Sequence, residues 1–256
     1  MRQRIVDAVS AFVRSYEMRP GVATRWGEPL VGFCDAKGAG VRALKDAVSF
    51  NHLMPEDILP GATLVVVYFL PFTRELAETN CSGSCASPAW ARAYAETNAL
   101  FAELNDMLAA LIVSLGGRAA VPGPAAGLSE SSLMSRWSHR HFAMLAGLGT
   151  FGLHNMLITR AGCCGRVSSF AADIPVEPDV PFAGELCLYR QKGVCGKCAA
   201  RCPSGALTLE GFDRRKCFAV CMENEAQYPG CDVCGKCVTG VPCSFGGRTV
   251  PGCGQK

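Results

Sequence analysis

CLYRQKGVCGKCAARCP (residues 187–203) and CDVCGKCVTGVPC (residues 231–243) decide how this chain is read. With Cys217 and Cys221 between them, they gather ten of the chain's sixteen cysteines into 57 residues. Two thiolates in a C-x-x-C turn hold two corners of one metal core. A cysteine that follows such a turn and precedes a proline, as Cys202 precedes Pro203, points away from it and in two-cluster ferredoxins ligates the other cluster. The cysteine that opens such a run normally stands close to the second. Here Cys187 precedes Cys195 by eight positions, so an insertion stretches the motif. Eight thiolates suit two 4Fe–4S clusters in a small bacterial ferredoxin-like unit, with Cys221 and Cys231 left over.

Two plainer readings use the same residues. A disulfide framework needs an oxidising compartment, and Met1 to Glu17 has neither the unbroken apolar core nor the cleavage site of a secretory leader. A zinc ribbon pairs C-x-x-C turns about 15–20 residues apart. Cys198 and Cys234 are separated by 35 residues, and the Cys-Pro ending is ferredoxin-like.

Working outward, 49% apolar and 18% charged residues describe a compact chain. A net charge of +3 with no Lys/Arg block is too small to argue for nucleic acid. The apolar run Ala62 to Leu70 is far short of the roughly 18 residues that cross a bilayer. A cytoplasmic protein in a well-reduced cell, without a membrane partner, is expected.

Ahead of the cysteines, residues 3–17 have helical spacing at Ile5, Val9, Phe12 and Val13. Leu30 to Cys34 reads as a short strand and Gly38 to Phe50 as a helix. Leu64 to Leu70 is apolar at every position, the mark of a strand buried on both faces. Pro88 to Leu115 reads as a long helix closed by Gly116-Gly117, then a short strand at Arg118 to Pro122 and a Pro/Gly loop. Cys81 and Cys85 read as an ordinary loop with two free thiols. These elements predict an α/β layer over residues 1–180. Pro175, Pro178 and Pro181 make a stiff connector into a cysteine domain over residues 181–256.

Between the two halves runs WSHRHFAMLAGLGTFGLHN (residues 137–155), with three of the chain's four histidines and glycines at 147, 149 and 152. Glycines so placed let a backbone approach a planar ligand or make a tight turn. A dinucleotide fingerprint is disfavoured, because the preceding residues look helical and no buried strand leads in. The plainer reading is a helix ending in a Gly turn, with its histidines satisfied in a packed core.

Ala146-Gly147-Leu148-Gly149, Gly152, Leu157-Ile158-Thr159, Gly162 and Ala172 to Asp179 resemble the core of epoxyqueuosine reductases. Those are cobalamin-dependent enzymes with two 4Fe–4S clusters, related to the reductive dehalogenases. The resemblance covers residues ~60 to ~245. It implies a nitroreductase-like α+β sandwich that binds the corrinoid, followed by the ferredoxin-like unit. It implies that Cys187, Cys195, Cys198 and Cys243 hold one cluster, and Cys202, Cys217, Cys234 and Cys237 the other. It also sets a corrinoid against the turn formed by Gly147, Leu148, Gly149, Thr150, Phe151, Gly152 and Leu153. Cys231, three positions before Cys234, is the alternative to Cys217.

Two departures shape the functional expectation. The family carries an aspartate general acid about a dozen residues before Ala-Gly-Leu-Gly, whereas this chain has no Asp or Glu between Ser131 and Ala172. His139 and His141 stand there instead, as candidate proton donors. The family also continues into a helical-repeat tail, and this sequence stops at Lys256, which points to a short form with a different substrate. The expected activity is electron passage from a low-potential donor, such as a ferredoxin or flavodoxin, through two clusters to a corrinoid and a small substrate. The competing expectation is an electron carrier that reduces a corrinoid or flavin held by a partner. A redox-sensing role for the adjacent Cys163-Cys164 is the weakest, since vicinal cysteines close a strained ring. Cys81, Cys85, Cys163, Cys164, Cys221, Cys231 and Cys253 are expected to be dispensable for cluster content.

Overall fold

A computed structural model describes residues 1–129 and 132–246; Cys253 lies outside them. Of the two loop thiols expected to be free, Cys85 is free and Cys81 is disulfide-bonded. In chain order the elements are α1 (Arg2–Glu17), β1 (Leu30–Asp35), α2 (Ala39–Arg42), α3 (Leu44–Ala47), α4 (Pro55–Ile58), β2 (Leu64–Pro71), α5 (Arg74–Thr79) and α6 (Pro88–Ser114). Then follow β3 (Arg118–Ala120), a 3-10 turn (Pro124–Ala126), β4 (Leu128–Ser129), β5 (Met134–Ser135), α7 (His139–Leu145), β6 (Gly149–Phe151), β7 (Leu157–Thr159) and β8 (Gly165–Asp173). The cysteine-rich half adds α8 (Leu188–Lys192), α9 (Lys197–Ala200) and α10 (Arg214–Gln227).

All eight residues of β2 are buried. Alternation sends Leu64, Val66, Tyr68 and Leu70 into one core and Val65 and Val67 into another. The main sheet has the order β1-β2-β8-β3, and every pairing is antiparallel, with Leu30 opposite Phe69 and Leu64 opposite Ala172. Helices α1 and α6 cover one face through Ile5, Val9, Val13, Leu100, Leu104, Leu108 and Ile112. The other face is closed by α7, α2 and α3 through Phe142, Ala143, Val41 and Leu44, with Trp137 beside them. The expected mixed α/β layer is therefore present, built on an antiparallel sheet.

Two elements differ from the sequence reading, and the long helix α6 agrees with it. The segment expected as one helix over Gly38 to Phe50 is two four-residue helices, α2 and α3, and the chain turns between them at Ala43. Strand β8 was not expected. Its sequence GRVSSFAAD mixes Ser168 and Ser169 into an apolar run, and both serines are buried because partners satisfy them. Ser168 Oγ accepts from Asn105 Nδ2 at 3.3 Å, and Ser169 Oγ accepts from Trp137 Nε1 at 2.9 Å. At α6, the Ser87 side chain accepts from Trp90 N at 3.1 Å and Pro88 opens the helix. Gly116 closes it with a positive φ of 82°.

The cysteine-rich half does not form a separate core. Cys187, Cys198, Leu207, Val238 and Val241 are buried in the same cluster as α1 and α6. A polar latch holds the second C-x-x-C turn to the end of α5. Lys236 Nζ, 2% exposed, donates to Asn80 O at 3.1 Å, Asn80 Oδ1 at 3.2 Å and Ser82 O at 2.6 Å. Asn80 Nδ2 returns a bond to Cys234 O at 2.9 Å, and Thr239 Oγ1 donates to Asn80 O at 3.1 Å. Lys236→Met keeps the stem but strips donors from buried carbonyls, at roughly 1–3 kcal/mol for each group left unpaired. Lys236→Met is expected to lower the thermal unfolding midpoint by several degrees, while Lys192→Met on the exposed end of α8 leaves it within about a degree.

Candidate metal centre

The residues between Cys187 and Cys195 fold as a short helix. Cys187 stands at its start, α8 follows, and Gly193 ends it in the left-handed region with φ 68°. The insertion is thus a turn and a half of helix that returns the chain toward Cys187. Cys195 precedes α9, which carries Cys198, and Cys243 comes back from the C-terminal turn. All four line one cavity of about 200 Å³, together with Leu153, His154 and Tyr189. That volume is below the roughly 300–1,000 Å³ of a drug-sized ligand pocket. It suits a compact inorganic core and is too small for a macrocycle.

The electrostatics report the same grouping. Burial, and next the neighbouring charges of Cys243, Cys187 and Cys195, push the Cys198 thiol up to about 11. A hydrogen bond from Cys163 first of all, seconded by one from His154, outweighs burial and pulls Cys243 down to about 5.

The second set gathers around Cys237. Burial first, then the charges of Cys234, Cys217, Cys198 and Cys202, hold its thiol well above the ordinary range. Cys198 belongs to this neighbourhood as well as to the first, so the two sets are adjacent. Cys202 Sγ accepts from Leu207 N at 3.4 Å. Cys217 lies in α10, which Asp213 caps by accepting from Arg215 N and Lys216 N. A hydrogen bond from Cys221, one turn on, pulls Cys217 down to about 7, and the Arg140 guanidinium acts in the same direction. Cys231 points elsewhere, its thiol donating to Ala91 O at 3.3 Å. The thiol beside Cys217 is instead Cys221, which the sequence reading set aside as dispensable for cluster content; the signal of their nearness was the i, i+4 spacing on one helix.

Both sets pass a test of fit that does not depend on the cysteines alone. At the first, the cavity is the cradle. At the second, Trp90 Nε1 is buried without a hydrogen-bond partner. It lies against Gly235 of the Cys234–Cys237 turn, where an added Cβ would stand 2.3 Å from it. A buried indole N–H without an acceptor fits a neighbour that brings anionic sulfur.

The glycine turn does not fit a corrinoid in the expected way. A Cβ on Gly147 would stand 2.3 Å from Val180 O, on Gly149 1.9 Å from Ile158 O, and on Gly152 2.4 Å from His154 Cε1. The space left by the missing side chains is filled by the chain itself. Leu148 packs in the core with α7, and Thr150 Oγ1 donates to Glu185 Oε1 at 2.9 Å. Phe151 lies against the His141 ring at 4.6 Å, and Leu153 turns toward the first cysteine set.

His139 and His141 are half-buried and polar-paired. His139 Nδ1 meets Ser169 Oγ at 2.8 Å, and His141 Nδ1 meets Ser138 Oγ at 2.7 Å. Burial first, and for His139 the nearby Arg166 and Arg140, bring each down to about 4. Both are neutral imidazoles at neutral pH, which counts against the expected role of imidazolium proton donor.

Among the described residues, no helix is long and apolar enough to cross a membrane.

Comparison with known proteins assigns this fold to a class. No family model matches the chain. A crystal structure of selenomethionine-labelled epoxyqueuosine reductase superposes with a TM-score of 0.52 at 18% identity, covering 91% of this chain and 64% of that one. A reductive dehalogenase described in terms of B12-dependent dehalogenation superposes with a TM-score of 0.50 at 20% identity, covering 73% of this chain and 26% of that one. The fold is the one these two groups of proteins share. In sequence, the chain is 31% identical over 112 residues to the epoxyqueuosine reductase of Bacillus subtilis (strain 168), across 38% of this chain and 27% of that protein. The chain is similar to epoxyqueuosine reductases over that stretch, and the match spans about a quarter of that relative's length.

Two expectations test this geometry. Gly149→Ala drives a Cβ into the Ile158 carbonyl and should lower the unfolding midpoint equally with and without added cobalamin. A group whose folded pKa lies below its ordinary value binds more protons when unfolded, so stability is lost as pH falls between the two. With His139 and His141 near 4 when folded and about 6.5 when unfolded, the thermal midpoint should drop from pH 7 to pH 5. His139→Gln and His141→Gln should each flatten that slope.

Proposed function

We propose that this protein is an iron–sulfur oxidoreductase, with a ferredoxin-like unit at residues 181–256 holding two 4Fe–4S clusters. The observation that carries the reading is the convergence of Cys187, Cys195, Cys198 and Cys243 on one small cavity, with a second set gathered around Cys237. The first four would hold one cluster, and Cys202, Cys217, Cys234 and Cys237 the other. Bound there, such clusters supply single electrons at a potential set by burial, charge and hydrogen bonds to sulfur. The chain's own residues do the rest. Leu207 N donates to Cys202, Arg140 and the neighbouring Lys236 place positive charge near the second set, and Val238 and Val241 exclude water.

The donor would be a low-potential ferredoxin or flavodoxin of a cytoplasmic, reducing environment. The terminal acceptor is proposed to be a corrinoid, by likeness to the B12-dependent relative, with a small molecule as final substrate. The space beside Gly147, Gly149 and Gly152 is taken by Val180, Ile158 and His154 of the chain itself. That observation favours a second reading, an electron carrier whose corrinoid or flavin sits on a partner protein.

Protein isolated without oxygen should contain about eight iron and about eight acid-labile sulfide per chain. Stoichiometric zinc without sulfide overturns the assignment. Cys198→Ala and Cys202→Ala should each lose a different paramagnetic signal in the reduced protein; loss of the same signal would rule out interleaved ligation. A cobalamin absorption band that stays with the protein through gel filtration supports the reductase, and clusters alone support the carrier.

A further inference from the structure

The segment Gly152-Leu153-His154 delivers two N–H groups to two different cysteines of the first cavity. Leu153 N lies 3.4 Å from Cys187 Sγ, and His154 Nε2 lies 3.4 Å from Cys243 Sγ. The imidazole tautomer follows from its other nitrogen. Met156 N–H donates to His154 Nδ1 at 3.1 Å, so Nδ1 is an acceptor. With Nδ1 accepting, the ring's N–H is on Nε2, aimed at sulfur. The ring is 4% exposed, and its position depends on Gly152, whose absent Cβ would lie 2.4–2.9 Å from three ring atoms. Cys163 Sγ stands 3.8 Å from Cys243 Sγ on another side.

We infer that His154 is a positioning residue that sets the reduction potential of the cluster held by Cys187, Cys195, Cys198 and Cys243, by donating its Nε2–H to the Cys243 thiolate. The inference rests on the cluster reading above. Reduction adds one negative charge to the core and its thiolates. An N–H aimed at a ligand sulfur stabilises the reduced form more than the oxidised form, and so raises the potential. Gly152 has the matching part of keeping the ring within reach.

The test is a redox titration of the anaerobically isolated protein, followed by paramagnetic resonance. The two signals are assigned by which one Cys198→Ala removes. His154→Phe keeps an aromatic ring and loses the donor. It is expected to shift the midpoint of the Cys198-dependent signal to lower potential and leave the other unchanged. His154→Gln, which retains an N–H, should recover part of the shift, and Gly152→Ala should lower the midpoint by displacing the ring. An unchanged midpoint in His154→Phe at full iron and sulfide content overturns the inference and leaves the cluster reading intact. So does a halving of iron in His154→Phe, which would make the ring a ligand or a structural prop. Wild-type protein without labile sulfide would instead sink the cluster reading itself.

Discussion

Strand β2 constrains everything around it. Eight consecutive buried residues with alternating directions place large apolar side chains on both faces of the sheet, and each face must be covered before the strand is stable in water. On one side α1 and α6 meet that demand with long rows of Leu, Ile and Val. On the other the cover is thin, and the short helices α2, α3 and α7 need the Trp137 and Phe142 rings, 4.3 Å apart, to fill the space. His52 packs into the same corner, and its Nε2 accepts from Ser138 N at 3.0 Å. The residues that position α7 are thus committed to packing before any chemistry is asked of them.

The thicker core has a second consequence. It runs past the sheet into the cysteine-rich half, so the two C-x-x-C turns are seated on the α/β layer. Asn80 is the polar part of that seating. It bonds the main chain at Cys234 and accepts from buried Lys236, whose pKa burial lowers. Arg201 adds a strap, donating to Lys236 O at 3.2 Å and Cys81 O at 2.6 Å. A buried lysine beside a C-x-x-C turn is held by carbonyl oxygens and by the thiolates' field, which compensates the cost of removing it from water.

Legibility in the sequence followed the range of the interactions. β2 and α6 could be read because each is a long uniform pattern, and the cysteine sets because their spacing is a chemical signature. β8 escaped because Ser168 and Ser169 look like solvent-facing residues, and their partners, Asn105 and Trp137, lie 63 and 32 residues away. The glycine turn was legible as a place of close approach, but sequence does not say what approaches. The same absent Cβ admits a flat ligand or a carbonyl of the chain, and here Val180 and Ile158 supply the carbonyls. Cys221 shows the same division: its nearness to Cys217 follows from the i, i+4 spacing on α10, while its nearness to Cys234 is a tertiary fact.

Crowding among the thiols carries the argument one step further. Burial and neighbouring charges push up the thiol of Cys198 in the first set and those of Cys237 and Cys234 in the second. In each set another is drawn toward thiolate, Cys243 and Cys217 respectively. Four thiolates in one buried space repel each other, and without a cationic core the set must share protons. A core that binds four thiolates replaces those protons, so its loading is coupled to proton release and to the stability of the surrounding chain. Arg140 sits where part of that charge would remain, donating to Asn155 O at 2.5 Å while its field reaches Cys217. Because α7 carries Arg140 next to His139 and His141, the helix that closes the thin core also brings positive charge to the second cysteine set. Sheet packing and the electrostatics of the second cysteine set therefore meet in α7, and a change that moves this helix is felt at both.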